Sequence, residues 1–129
     1  MALSFATTLR TTRAQTIVTA AGANAKLKFY DGTRPATGAA VTSQTLLATL
    51  NFGANIGTAA SASIDIDEAS VTQSNASHVN GTPTWVRITT SADAFVADMS
   101  IPADLPFSGT IANGVNITLN ASTINEGNA

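Results

Sequence analysis

Residues 26–38, with the sequence KLKFYDGTRPATG, predict a short strand that runs into a turn. Leu27 and Phe29 alternate with polar side chains, so a period of two gives the strand one apolar face. The opposite face carries Lys26, Lys28 and Tyr30. Gly32 then breaks the strand, and Pro35 fixes φ in the turn that follows. A helix-like segment precedes this stretch and only strand-like segments follow it.

The segment before this strand, residues 3–21, predicts a helix. Apolar side chains recur near helical spacing and arginines lie on the other side, namely Phe5, Leu9, Ile17 and Val18 against Arg10 and Arg13. Ser4 is placed to cap the start of this helix and Gly22 to end it. The many threonines lose χ1 freedom in a helix, so an extended arm is the alternative. We therefore predict an N-terminal helix or arm over residues 1–24 and a β-sandwich domain over residues 25–129.

Strand-like segments follow at 44–52, 62–67, 84–90, 94–101 and 115–119, with a short strand near Val71. Alternation places Leu46 on the same face as Leu50, and Phe95 on the same face as Met99. Residues 53–60 and 68–82 predict loops, and the tail after residue 120 is expected to fray. Short strands separated by turns predict a mostly β protein. The expected fold is an antiparallel jelly roll or β-sandwich of about 6–8 short strands with an N-terminal helix or arm.

The composition excludes some classes of protein. The chain has 129 residues, enough for one domain with its own core, and no cysteine, which excludes disulfides and thiolate metal sites. Only 11% of the residues are charged and 44% are hydrophobic. Such a weakly charged surface suits a protein that packs beside copies of itself or other subunits, although a β protein with threonine-rich strands has the same composition. No apolar run reaches transmembrane length, so no membrane partner is expected.

The net charge of −2 hides an asymmetry along the chain. Five of the six basic residues precede residue 35, and seven of the eight acidic residues follow it. A basic front and an acidic back are suited to meet head to tail between subunits, and the alternative is an ordinary solvated face. Nucleic-acid binding usually needs denser basic patches, often with aromatic residues among them, so no nucleic-acid partner is expected.

No catalytic constellation emerges from the sequence, so we expect no enzyme activity and no cofactor. His78 lies in a polar segment without a nucleophile motif, and it is expected to be a solvated loop histidine rather than a triad base or a metal ligand. Asp93 and Asp98 are a poor acid and base pair because they fall at a hairpin turn and on a strand.

Two further features have a structural and a functional interpretation. Asp65, Asp67 and Glu68 are carboxylates of the kind that bind calcium, but alternation sends Glu68 to the other face and no glycine follows at calcium-loop spacing. A solvated strand face is therefore expected.

Trp85, the only tryptophan, is expected in the core with its N–H bound to the backbone. An exposed Trp85 would instead anchor an interface.

Three segments together resemble a family of small proteins of tailed phages and prophages. They are LKFYDGTRPATG at 27–38, LLATLNF at 46–52 and GTPTWVRI at 81–88. In that family a helical N-terminus leads into a YDGTxPAT turn, an LLATLxF strand and a GTxTWxR strand. The resemblance covers about residues 5–120 and names no active site. This chain departs from the pattern near Gly127, where one more strand is expected, so a neighbouring subunit is a candidate to complete the last sheet edge.

The resemblance implies a virion structural protein that is assembled in the host bacterial cytoplasm. The leading expectation is a capsid decoration or cement protein that binds the outer shell, bridges neighbouring major capsid subunits and forms homo-oligomers. The alternatives are a tail, neck or fibre-associated virion protein and a carbohydrate-binding jelly roll that uses Trp85 and Tyr30, with a hydrolase as the weakest. The candidate interface residues are Phe5, Leu9, Arg10, Arg13, Lys26, Lys28 and Arg34.

Overall fold

The computed structural model describes residues 4–119 and 123–125. Helix α1 covers Thr7–Ala21. Within those ranges eight strands follow, namely β1 (Lys26–Tyr30), β2 (Leu46–Asn51), β3 (Gly57–Ala60), β4 (Ser63–Ile66), β5 (Thr72–Gln73), β6 (Trp85–Thr89), β7 (Phe95–Ser100) and β8 (Thr123–Asn125). Short 3₁₀ turns cover Ala36–Gly38, Glu68–Ser70 and Asn75–Ser77.

The strands form two antiparallel sheets. The five-stranded sheet has the order β5-β2-β1-β6-β7, and the three-stranded sheet has the order β3-β4-β8. Inward side chains of both sheets belong to one core cluster, among them Phe29 and Val86 from the first sheet and Ile64 and Ile124 from the second. The prediction of a mostly β, sandwich-like fold with an N-terminal helix is therefore confirmed, and the jelly-roll topology stays a prediction.

Strand β1 has the two faces that its sequence predicts. Leu27 and Phe29 are fully buried in the core, while Lys26 and Lys28 are half-buried on the opposite face. The strand lies between β2 and β6, so each of its edges is paired. Tyr30 is also buried, because a stacked ring and a loop cover its end of the outer face.

Helix α1 is part of the core rather than an extended arm. Ala14, Val18 and Ala21 lie in the same core cluster as the strands, and the helix packs against β3, β4 and β7. Three threonine hydroxyls on this helix donate to the carbonyl oxygen four residues earlier, at 2.9–3.1 Å, which satisfies these side chains within the helix. The predicted boundary at residue 24 falls in the turn between the helix and β1.

The predicted C-terminal end of the helix is confirmed, whereas the predicted N-terminal end is wrong. Gly22 ends the helix as expected, with its backbone N–H donating to the carbonyl of Val18 at 3.2 Å. The prediction of a Ser4 cap is wrong, because the helix begins at Thr7 and Ala6 occupies the cap position without a side-chain hydrogen bond. Residues 1–3 lie outside the described ranges.

Two predictions about strand position are wrong. Residues 57–60 form β3 instead of a loop, and Gly57 is needed there because a Cβ would collide with the backbone carbonyl of Asp65 on β4. Residues 115–119 do not form a strand. The side-chain amide of Gln73 binds the backbone of Ile117 instead, accepting from its N–H at 2.7 Å and donating to its carbonyl at 2.9 Å. The expectation that the tail after residue 120 frays is wrong for residues 123–125, which form the last strand, β8, and pair with β4. The rest of the tail lies outside the described residues.

Two β-bulges explain why two side chains leave their predicted face. A register shift in the β1–β2 pairing, between Phe29 and Tyr30, leaves Leu46 exposed and turns Leu47 inward. A second shift in the β6–β7 pairing, between Ile88 and Thr89, separates Phe95 from the core side chain of Met99. The predicted shared faces of Leu46 with Leu50 and of Phe95 with Met99 are therefore wrong.

Candidate interaction surface on the five-stranded sheet

The outer face of the five-stranded sheet gathers most of the charged side chains of β1, β6 and β7. The register pairs Lys28 with Arg87 and Arg87 with Asp98 across adjacent strands. Residues directly opposite in an antiparallel pair lie on the same face of the sheet, so these three side chains form one row. We call the surface formed by Lys26, Lys28, Arg34, Asp93 and Phe95 the front face.

A buried ion pair lies at the centre of this row. Arg87 donates to Asp98 through Nε at 2.7 Å and through Nη2 at 2.8 Å, and the side chains are only 10% and 5% exposed. The hydrogen bonds that Arg87 donates to Asp98 raise the pKa of Arg87 against the opposing effect of burial. Nη2 also donates to the carbonyl of Ala39 at 2.9 Å. The guanidinium group therefore fastens the 31–45 loop to the sheet.

An exposed aromatic ring lies beside this ion pair. The guanidinium carbon of Arg87 is 5.0 Å from the ring centroid of Phe95, and Phe95 is 47% exposed. Gly38, which has a φ of 68°, lies against the ring, and a Cβ on it would be 2.5 Å from Cε1 of Phe95. Loop and guanidinium together hold the ring in one place, so it is pre-ordered for contact with a partner.

Trp85 and Tyr30 are stacked against each other and are not available for such a contact. Their ring centroids are 4.5 Å apart with an interplanar angle of 12°, and Trp85 is 1% exposed. Trp85 Nε1 donates to the carbonyl of Asp31 at 2.9 Å. The predictions that Trp85 is a core residue and that the backbone satisfies its N–H are confirmed. Neither ring offers a face to a sugar in this structure.

A second cluster of charge lies on the front face where the β6–β7 hairpin turns. Asp93 Oδ1 is 2.9 Å from Nζ of Lys26 and 2.8 Å from Nζ of Lys28. The hydrogen bonds from Lys28 and then Lys26 lower the pKa of Asp93 from its ordinary 3.8 to about 2. One carboxylate is shared by two ammonium groups, so the cluster keeps an excess of one positive charge.

We expect the carboxyl group of Asp93 to titrate with a midpoint near 2 in the folded protein. Because the pKa is lowered on folding, this group stabilises the protein above its ordinary value of 3.8, and the contribution is lost as pH falls toward 2. The side chain is 52% exposed, so the effect on the free energy of unfolding is expected to be small. Carboxyl ¹³C chemical shifts followed from neutral pH to well below pH 2 measure it, with Asp93→Asn to assign the signal. A midpoint at the ordinary value would contradict the three-residue cluster.

The seven predicted interface residues fall into two separate groups. Lys26, Lys28 and Arg34 lie on the front face, where Nη1 of Arg34 is 3.4 Å from the carbonyl of Asp98. Leu9, which is 46% exposed, and half-buried Arg10 belong to the first turns of α1. The remaining two are Phe5 and Arg13, where the guanidinium carbon of Arg13 lies 4.7 Å from the Phe5 ring centroid.

These two groups do not form one surface. The inner face of β1 packs into the same core cluster as Ala14 and Val18 of the helix, so Lys26 and Lys28 point away from α1. We call Phe5, Leu9, Arg10 and Arg13 the helix patch. The fold therefore presents two candidate contact surfaces rather than one.

The prediction that His78 is a solvated loop histidine is wrong. His78 is 2% exposed, and its Nδ1 lies 3.0 Å from the carbonyl of Val115. Asn113 adds a second link between the same two loops by donating to the carbonyls of Ala76 and His78 at 2.8 and 2.9 Å. The loops that bury His78 come together from positions more than 30 residues apart, so no local sequence signal marks it.

The acidic residues Asp65, in β4, and Asp67, just after it, belong to the region of the three-stranded sheet. Ile64 and Ile66 are buried while Asp65 and Asp67 are exposed, which confirms the predicted solvated strand face. Within residues 4–119 and 123–125, no three His, Cys, Asp or Glu side chains come close enough together to hold a metal ion. We call the exposed surface of Asp65 and Asp67 the back face.

The two remaining acidic candidates serve separate ion pairs. Asp93 is bound by lysines of β1, and Asp98 is bound by Arg87 of β6. Both carboxylates are therefore engaged by bases, and the geometry does not favour an acid and base pair.

Comparison of the chain with models of known protein families, with curated proteins and with solved structures gives no match. Among the residues that the structure describes, no helix has the length and the apolar character that crossing a bilayer requires.

Proposed function

We propose that this protein is a virion structural component, a capsid decoration protein that binds the outer shell of a tailed phage and bridges neighbouring major capsid subunits. The observation that carries the proposal is where the three resembling segments fall in the fold. Residues 27–38, 46–52 and 81–88 include β1, β2 and β6, which are adjacent in the five-stranded sheet. Segments that are far apart in sequence thus belong to one structural unit, as a resemblance based on a shared fold requires.

The side chains that could act as acids or bases in catalysis are engaged in other contacts, which supports a binding role. His78 is buried against a backbone carbonyl, and Asp93 and Asp98 are engaged by lysine and arginine. The features left for a partner are exposed side chains on rigid elements, such as Leu9 on α1 and Phe95 on β7. A structural subunit uses surfaces of this kind, since association buries apolar area and positions polar groups at its rim.

We propose the helix patch as the contact with the shell. Leu9 is 46% exposed, and it lies on the same helix as Arg13, whose guanidinium group stacks on the ring of Phe5 just before the helix. An apolar side chain beside an arginine and an aromatic ring has the composition typical of interface hot spots. A contact of this small size is strengthened when a protein that bridges neighbouring subunits engages two of them at once.

The copy number of the chain in purified particles tests the proposed function. Quantitative mass spectrometry of the phage or induced prophage that encodes the chain compares it with the major shell protein. A copy number that scales with the shell lattice supports decoration. A handful of copies per particle moves the protein to the tail or neck, and absence from the particle overturns the virion role.

Substitution of the helix patch tests the proposed contact. We expect Leu9→Glu combined with Arg13→Glu to lower the occupancy of particles about tenfold at fixed protein concentration, because it removes apolar area and reverses a charge. Gln15→Glu on the exposed helix surface is the control and is expected to bind like the wild type. Point substitutions are cleaner than deletion of residues 1–21, which would remove Ala14, Val18 and Ala21 from the core. Unchanged occupancy of the double variant would exclude the helix patch.

A further inference from the structure

We propose that the front face of one copy binds the back face of a second copy, so that the chain associates with itself head to tail. The basic side of the contact is Lys26, Lys28 and Arg34, and the acidic side is Asp65 and Asp67. This contact is separate from the helix patch and does not depend on the proposed shell. It can therefore be tested on the purified protein alone.

The front face carries a net positive charge after its internal pairs are counted. Arg87 and Asp98 neutralise each other in a buried pair. Lys26 and Lys28 share the single carboxylate of Asp93, which leaves one positive charge in excess. Arg34 is exposed, and it contacts a backbone carbonyl rather than a carboxylate. The front face therefore has two positive charges more than it can neutralise.

The back face carries the matching negative charge. Asp65 of β4 and Asp67, which follows that strand, are both exposed. Within residues 4–119 and 123–125, neither of these two carboxylates is engaged in an ion pair. They border a depression with polar walls formed by Asn55 and Thr58, which suits an ammonium group better than an apolar ring.

The two faces belong to different sheets of the fold. The inner side chains of both sheets meet in one core, so the outer face of each sheet is directed away from that core. A face that binds a different face on the next copy gives a heterologous contact. Such a contact extends into a row or closes into a ring, according to the rotation between copies.

Two further features favour a second copy as the occupant of the front face. The net charge of the chain is only −2, so long-range repulsion between copies is weak. Phe95 stands pre-ordered beside the basic residues and supplies an apolar anchor at the same surface. Opposite charges set the orientation in which two copies meet, and the apolar ring adds buried area once they are in place.

The experiment is a charge exchange followed by sedimentation velocity. Lys26→Glu with Lys28→Glu makes both faces negative, and Asp65→Lys with Asp67→Lys makes both faces positive. We expect each variant alone to associate at least about tenfold more weakly than the wild type at about 0.02 M salt, and the equimolar mixture of the two to recover wild-type association. Wild-type association is expected to weaken as salt rises to about 0.3 M, where exposed charges are screened.

The mixture also shows that both variants are folded, because an unfolded partner would not restore association. A neutralised pair, Lys26→Gln with Lys28→Gln, changes the net charge by −2, as does Thr8→Glu with Gln15→Glu on the exposed helix surface. Only the first is expected to weaken association. A wild type that stays monomeric at low salt, an association that ignores both charge reversals, or a mixture that fails to recover would each overturn the proposal.

Discussion

Asp98→Ala is expected to lower the free energy of unfolding by about 3–5 kcal/mol, because it leaves a buried arginine without its carboxylate. The side chains of Arg87 and Asp98 are 10% and 5% exposed, so water does not replace the lost partner. Two hydrogen bonds of 2.7 and 2.8 Å are removed at once. The guanidinium group keeps its bond to the carbonyl of Ala39, which compensates only in part.

Urea denaturation followed by circular dichroism measures this effect, and a matched double variant separates its causes. Arg87→Met with Asp98→Leu removes both charges and keeps apolar volume at the two positions, so it is expected to be clearly more stable than Asp98→Ala alone. If Asp98→Ala costs less than about 1 kcal/mol, the pair behaves as a solvated surface bridge rather than a buried one. Equal losses in the single and double variants would indicate that packing, and not the unpaired charge, is responsible.

The sequence was sufficient where local pattern and burial agree. Leu27 and Phe29 alternate cleanly with charged residues, and the structure buries the first pair and turns the others outward. Ile64 and Ile66 behave in the same way on β4. In each case a period of two is enough, because one face of the strand must meet the core.

The sequence was insufficient where long-range contacts decide. At Ile117 the side-chain amide of Gln73 makes the backbone hydrogen bonds that a neighbouring strand would otherwise make. The two residues are 44 positions apart, so the apolar periodicity of 115–119 does not reveal this contact. The bulges in β2 and β7 turn Leu46 and Phe95 away from their predicted faces. Each bulge inserts a single residue, and the sequence pattern of the strand does not show where that residue lies. Strands and turns are local properties, whereas bulges and side-chain bridges depend on the partner segment.

The candidate surface was predictable in part for the same reason. The basic face of β1 follows from alternation, so Lys26 and Lys28 were identified from the sequence. Their carboxylate partner, Asp93, is 67 residues from Lys26 and reaches it only through the β1–β6–β7 order of strands. The division of the predicted interface into a helix patch and a front face likewise depends on which side of β1 the helix packs.

The loop that follows β1 also stabilises the front face. Backbone carbonyls of the 31–39 loop accept hydrogen bonds from β6 and the residue before it, with Asp31 bound by Trp85, Gly32 by Thr84 and Ala39 by Arg87. Gly38 of the same loop supports the ring of Phe95. The loop therefore acts as a fixed support that positions the charged row and the exposed ring.

Trp85→Ala is expected to destabilise the protein by about 3–5 kcal/mol, because it leaves a large cavity at the centre of this support. Trp85 is 1% exposed and stacks on Tyr30 with centroids 4.5 Å apart. Its ring centroid is 5.4 Å from the guanidinium carbon of Arg87, so the substitution also removes one wall of the ion pair.

Trp85→Phe is the matched control, since it keeps an aromatic ring against Tyr30 but loses the hydrogen bond from Nε1 to the carbonyl of Asp31. We expect it to cost about 1–3 kcal/mol, the effect of leaving a buried carbonyl unsatisfied and a smaller ring in place. Urea denaturation monitored by far-ultraviolet circular dichroism compares both variants with the wild type. Equal stability of Trp85→Ala and Trp85→Phe would mean that the hydrogen bond to Asp31, and not the packed indole, joins the loop to the sheet. A loss below about 1 kcal/mol in Trp85→Ala would place Trp85 outside the core and return it to the interface role that an exposed indole predicts.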